Sequence, residues 1–122
     1  MSRIRGKDTK PEMKVRRAAH ALGYRFRLHR KDLPGKPDLT FPSRRAVVFV
    51  NGCFWHRHEC DRGRKTPASN VEFWQDKFRR NVERDRRNVA ALESEGWRVL
   101  TIWECDLGDP EALDRRLIGF LE

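Results

Sequence analysis

The chain has 122 residues, with 27 Lys and Arg against 18 Asp and Glu, a net charge of +9. That length suits one domain over residues 1–122 that can bury roughly two-thirds of the surface its unfolded form exposes. A 38% hydrophobic content with seven Phe and four Trp excludes a disordered polycation, and no run nears the ~18 apolar residues of a membrane span.

Residues 1–8 are expected to be an N-terminal arm, and no apolar signal core follows Met1-Ser2-Arg3-Ile4-Arg5. The expectation is a cytoplasmic protein with no membrane contact. Thr9-Lys10-Pro11-Glu12 reads as a capping box opening the first helix. Val15, Ala18, Ala19 and Leu22 then share one helical face, and Gly23 is the stop. Tyr24-Arg25-Phe26-Arg27-Leu28 alternates as a strand with one wet face, and Leu33-Pro34-Gly35-Lys36-Pro37 is a turn. Asp38-Leu39-Thr40-Phe41 reads as a short strand. Ala46-Val47-Val48-Phe49-Val50 is a continuous apolar run, as expected of a central strand covered on both faces.

From about Asn70 to Glu95 the pattern is helical, with a stripe of Val71, Trp74, Phe78, Val82, Val89 and Leu92. Asp85 interrupts that stripe, which leaves a kink or two helices open. Trp97 to Trp103 reads as another strand, its two Trp on one core face. Asp109-Pro110-Glu111 opens a last helix with a cap and Pro at its first position, followed by Leu113, Leu117 and Phe120. The order αβββαβα points to an α/β fold with helices flanking a mixed sheet.

The charge is uneven: residues 1–36 carry 12 basic and 3 acidic side chains, whereas residues 99–122 carry 2 and 6. A gradient this steep suggests one face turned toward a polyanion such as DNA, with phosphates gripped and no bases read. Three cysteines cannot all pair within one chain, so metal ligation or free thiols are the better readings. Cys53, His56, His58 and Cys60 lie within eight residues, and Cys105 follows 45 residues after Cys60. Zinc takes four tetrahedral N/S ligands, so five candidates leave one spare, and spacing does not say whether it is His56 or His58.

Asp38 stands 12 residues before Val50 at the opening of a strand, where a carboxylate can hold Mg²⁺, although Pro-Asp in a turn is ordinary. His56 has the ordinary acidity of a proton shuttle. Phe54-Trp55 follows no amphipathic period. Such rings can wedge between base steps or cover a zinc loop. Trp74 lies on the helical stripe and reads first as core.

Taken together, Leu33-Pro34-Gly35-Lys36-Pro37-Asp38, Val47 to Cys60, Glu72-Phe73-Trp74, Asn81 to Asp85, Gly96 to Leu100 and Trp103-Glu104-Cys105 resemble the very-short-patch repair (Vsr) endonucleases. The likeness runs from about Arg5 to Glu122. It implies a restriction-endonuclease-like core with a structural zinc site, acting as a monomer. The implied reaction is Mg²⁺-dependent nicking of one strand of duplex DNA beside a T:G mismatch left by 5-methylcytosine deamination. It further implies action at the nucleoid, alongside mismatch-repair proteins.

By matched position, the resemblance makes Asp38 and the Val50 carbonyl the Mg²⁺ ligands and His56 the acid/base residue. Glu12 falls at the edge of the active site. Cys53, His58, Cys60 and Cys105 become the zinc ligands. Phe54 and Trp55 become intercalating rings supported by Trp74, and Arg3, Arg5 and Lys7 become DNA contacts. Val50 stands where the family can have Thr, and Asn51 where it can have a titratable His. The second acid and lysine of ordinary restriction-enzyme sites are replaced by Val48-Phe49-Val50. The rival readings are a non-catalytic zinc-containing DNA-binding module and a sequence-specific nickase on the same fold.

Overall fold

The computed structural model describes residues 10–28, 30–52 and 69–122. Helix α1 (Lys10–Ala21) buries Glu12, Val15 and Ala19, spaced three and four apart so that they share one face. Thr9, the expected cap, lies outside the described residues. Gly23, at φ 88°, ends the helix. Its N–H donates to His20 O at 3.0 Å, and the Tyr24 N–H donates to Ala19 O at 3.1 Å. This two-bond stop needs a left-handed residue, which glycine adopts without steric cost.

Strand β1 is only Arg27–Leu28, shorter than the alternation from Tyr24 suggests. Its partner β2 (Leu39–Phe41) is three residues long and offers pairing only as Arg27 with Thr40 and Leu28 with Leu39. Tyr24 and Phe26 instead place their rings around Phe41, with centroids 6.4 and 5.8 Å away. A short turn at Pro42–Arg44 leads to β3 (Ala46–Asn51), which runs antiparallel to β2. Helix α2 (Val71–Ser94) then precedes β4 (Arg98–Trp103), which pairs parallel to β3. The sheet order is β1-β2-β3-β4.

With neighbours on both edges, β3 is also covered on both faces, as its unbroken apolar run demands. Ala46 and Val48 join α1 and the last helix, α3 (Pro110–Leu121), in the larger core cluster with Leu39, Phe41 and Ile102. Val47 points the other way, to Leu33, Leu92 and Trp97. The result is a mixed sheet between helical layers, in the expected order αβββαβα.

Three expectations are corrected. Helix α2 runs unbroken through Asp85. One side of the helix faces solvent, so a half-buried carboxylate there requires no break. Of the expected α2 stripe, only Phe78 and Leu92 are buried, and of the two Leu92 joins the second core cluster. Trp103 is only half-buried, since it sits at the sheet's end, beyond the main core. Trp97, one residue before β4, is buried, with the Arg45 guanidinium 4.3 Å from its ring centre.

Gly96, at φ 89°, stops α2 by the same device as Gly23. Trp97 N–H donates to Leu92 O at 3.0 Å and Gly96 N–H to Glu93 O at 3.1 Å. The last helix is capped as expected: Asp109 Oδ1 accepts from the Glu111 N–H at 3.0 Å, with Pro110 first in the helix. Among the described residues, no helix is long and apolar enough to cross a membrane.

Candidate active site

The turn before β2 is anchored by buried Leu33 and Pro37. Gly35, at φ 75°, lies so close to α2 that a Cβ added there would stand 3.0 Å from the Asn88 side chain. Glycine is thus required at this position for both backbone angle and space. The turn delivers Asp38 to the foot of β2. Because β2 is antiparallel to β3, with Leu39 opposite Val48, the start of β2 meets the end of β3. There the Val50 N–H donates to Asp38 Oδ2 at 2.6 Å.

Helix α1 brings a second carboxylate to the same place. Glu12 is 3% exposed and continues the face formed by Val15 and Ala19. Its Oε2 accepts from Arg16 Nη2 at 2.9 Å, one helical turn on.

Asp38 is strongly perturbed there, its carboxyl pushed from 3.8 up to about 7. Burial is the largest cause. The Val50 N–H opposes it by favouring the charged form, while a hydrogen bond with Glu12 and the Glu12 charge push upward again. The Arg16 charge pulls the other way. Two carboxyls set side by side in this way form an acceptor that a hard cation can enter. Among the described residues, no three His, Cys, Asp or Glu cluster as a metal cage. A two-carboxylate site completed by substrate oxygens and water suits Mg²⁺, which rarely uses all-protein cages.

Residues 1–62 match the family described as DNA mismatch endonuclease Vsr. The DNA mismatch endonuclease Vsr of Escherichia coli strain K12 is 43% identical over 123 residues, covering 100% of this chain and 78% of its own length. The chain belongs to the Vsr family. Other relatives are named as nicking enzymes. The type II nicking enzyme V.XorIIP of Xanthomonas oryzae pv. oryzae is 53% identical over 122 residues, 100% of this chain and 89% of its own length. V.NmeAIP of Neisseria meningitidis is 41% identical over 117 residues, 96% of this chain and 83% of its own length. This Vsr-family protein is a DNA endonuclease.

Of the residues singled out in the Vsr-like sequence, Asp38, Glu12 and the Val50 backbone come together. Asn51 follows Val50 as the last residue of β3, paired with Trp103. Cys105 is exposed, two residues beyond the end of β4. Trp74 is half-buried and bridges two environments: it stacks 5.8 Å from buried Phe78 and meets exposed Phe73 edge-on at 5.4 Å. Arg3, Arg5, Lys7, Cys53, Phe54, Trp55, His56, His58 and Cys60 lie outside the described residues.

Arg16 is the site residue that sequence reading missed. Its signal was a basic residue four after Glu12 on a helix. Such pairs are common on solvated faces, so the spacing alone does not mark a buried one.

Proposed function

We propose that this endonuclease nicks one strand of duplex DNA at T:G mismatches left by 5-methylcytosine deamination. The observation that carries the reading is the half-buried Asp38 carboxyl set against buried Glu12 where the start of β2 meets the end of β3. A module that only binds DNA has no need to hold two carboxylates together at the cost of their repulsion. The name of the Escherichia coli relative supports mismatch selectivity. The nicking-enzyme names of the other relatives keep a sequence-specific nickase as the second reading.

Asp38 and the Val50 carbonyl would hold Mg²⁺, with Glu12 beside them. Bound there, Mg²⁺ would stabilise the charge that develops on the phosphate. Asp38 is held in place by the Val50 N–H. His56 would move a proton at the attacking water or at the leaving oxygen. Asn51 would orient by hydrogen bonding, since an amide does not titrate. Phe54 and Trp55, with Trp74, would wedge beside the mismatch, where unstacking costs least. Arg3, Arg5 and Lys7 would grip phosphates. The fold would be restriction-endonuclease-like, a single domain over residues 1–122.

Cys53, His58, Cys60 and Cys105 would hold a structural Zn²⁺, a donor set that zinc favours. Strand register supports this. Asn51 and Trp103 are partners on adjacent parallel strands, and Cys53 and Cys105 each follow two residues later.

The test uses end-labelled duplexes with and without a central T:G pair, incubated with protein and Mg²⁺. The expected result is one cut strand in the mismatched duplex, with 5′-phosphate and 3′-hydroxyl ends. Equal nicking of matched DNA would overturn mismatch selectivity and favour the sequence-specific nickase.

A further inference from the structure

Two carboxylates side by side repel and tend to turn apart toward water. Burial at 3% exposure denies Glu12 that escape, and a contact from its own helix holds one of its oxygens. Arg16 Nη2 donates to Glu12 Oε2 at 2.9 Å, and Arg16 Nη1 lies 3.3 Å from Met13 Sδ. A guanidinium is a planar fork with fixed N–H directions, so a contact at one tip constrains the angle at the other. All three residues sit within the first seven positions of α1, so the helix itself sets their spacing.

An exposed pair at this spacing would be a solvated surface contact. This one is only 15% and 3% exposed, on the face that carries Val15 and Ala19 into the core. An ion pair buried there costs more in lost hydration than an apolar pair of the same volume. Its position beside Asp38 supplies a reason other than stability.

We propose that Arg16 is a positioning residue for nicking, anchoring the Glu12 carboxylate so that it stays turned to Asp38 as one acceptor for the catalytic cation. The role rests on the proposed reading that Asp38 holds that cation. It also accounts for charge. Among the described residues, two carboxylates and one guanidinium sum to −1, which one divalent cation and one phosphodiester bring to zero. Arg16 thereby supplies a fixed positive charge in a site whose β3 lacks the lysine of ordinary restriction enzymes.

The experiment compares Arg16→Met, which keeps the aliphatic bulk, with Arg16→Lys, which restores a charged donor. The readouts are kcat and KM for nicking the T:G duplex, Mn²⁺ binding to the DNA-free protein by electron paramagnetic resonance, and Tm. Arg16→Met should lower kcat about 10–100-fold and weaken Mn²⁺ binding by a similar factor, as is usual for residues that orient a metal ligand. KM should stay within about 2-fold, and Arg16→Lys, which restores the charge but not the planar fork, should recover only part of the loss. A native kcat in Arg16→Met overturns the role. So does tighter Mn²⁺ binding, which would mean that Arg16 merely repels the cation.

If Arg16→Met does not fold, Arg16→Gln replaces it: loss of kcat and Mn²⁺ affinity supports the role, and native values for both overturn it. Asp38→Asn in the same assay separates the two ideas. Should it nick normally, the metal reading falls and Arg16 with it. An inert Asp38→Asn beside a native Arg16→Met removes only the Arg16 role.

Discussion

Asp38→Asn should make the protein more stable and inactive at once. The side chain keeps its volume, and its Oδ1 can still accept the Val50 N–H that Asp38 receives at 2.6 Å. Its NH₂ can donate to Glu12, replacing the proton the two carboxyls share. The native carboxyl is raised to about 7 from 3.8, so the folded state holds its proton more tightly than the unfolded chain does. Stability from this group is therefore fully present below about 3.8, and it is lost as pH rises through about 7. Each factor of ten in acidity is worth about 1.4 kcal/mol, so the loss at pH 8 is on the order of 4 kcal/mol, shared with Glu12.

For a domain of this size that corresponds to a Tm difference of about 10–15 °C. The assay is thermal unfolding of both proteins in EDTA from pH 4.5 to pH 8. The Asp38→Asn protein should melt higher at pH 8, and the two curves should converge toward pH 4.5. Nicking at saturating Mg²⁺ should fall on the order of a thousand-fold, since the lost ligand removes several kcal/mol of transition-state stabilisation. A gap that does not change with pH, or a less stable variant, would refute the reasoning.

Two other substitutions test the frame around the site. Thr40 Oγ1 is buried with no hydrogen-bond partner among the described residues. Thr40→Val removes an unsatisfied hydroxyl at nearly constant shape and should stabilise the fold by about 1 kcal/mol, leaving nicking unchanged; a lower denaturant midpoint would show the hydroxyl to be bonded. Cys105→Ser should release the proposed structural zinc, lowering stability by several kcal/mol, and retention of one zinc per chain by mass spectrometry would remove Cys105 from the ligand set.

Some of the fold is written in neighbouring residues. Gly23 and Gly96 end their helices because a left-handed stop is a local demand, met within five or six residues. Asp109 and Pro110 start α3 for the same kind of reason. The unbroken apolar run of β3 announced a strand with no wet face, and its first three residues, Ala46 to Val48, are buried against cores on both faces. Alternation from Tyr24 to Leu28 misled because strand length is set by the partner, and β2 offers only three residues. Trp103 misled because facing the same way as Trp97 does not mean having the same cover.

The site belongs to the second kind of information. The motif Pro37-Asp38, followed by Val50 and the cysteine-rich segment, pointed to Asp38 through family resemblance. Glu12 stood 26 residues away, with a capping role open to it. Only the antiparallel register of β2 on β3 and the docking of α1 through Val15 and Ala19 bring the two carboxylates and Arg16 together, with Glu12 buried and the other two half-buried. The sequence by itself determined where helices start and stop and which chemistry the chain carries, because dihedral preferences and ligand types are properties of single residues and their neighbours. The tertiary structure decided which charges meet out of water, because burial and the long-range pairing of strands create the field that perturbs Asp38.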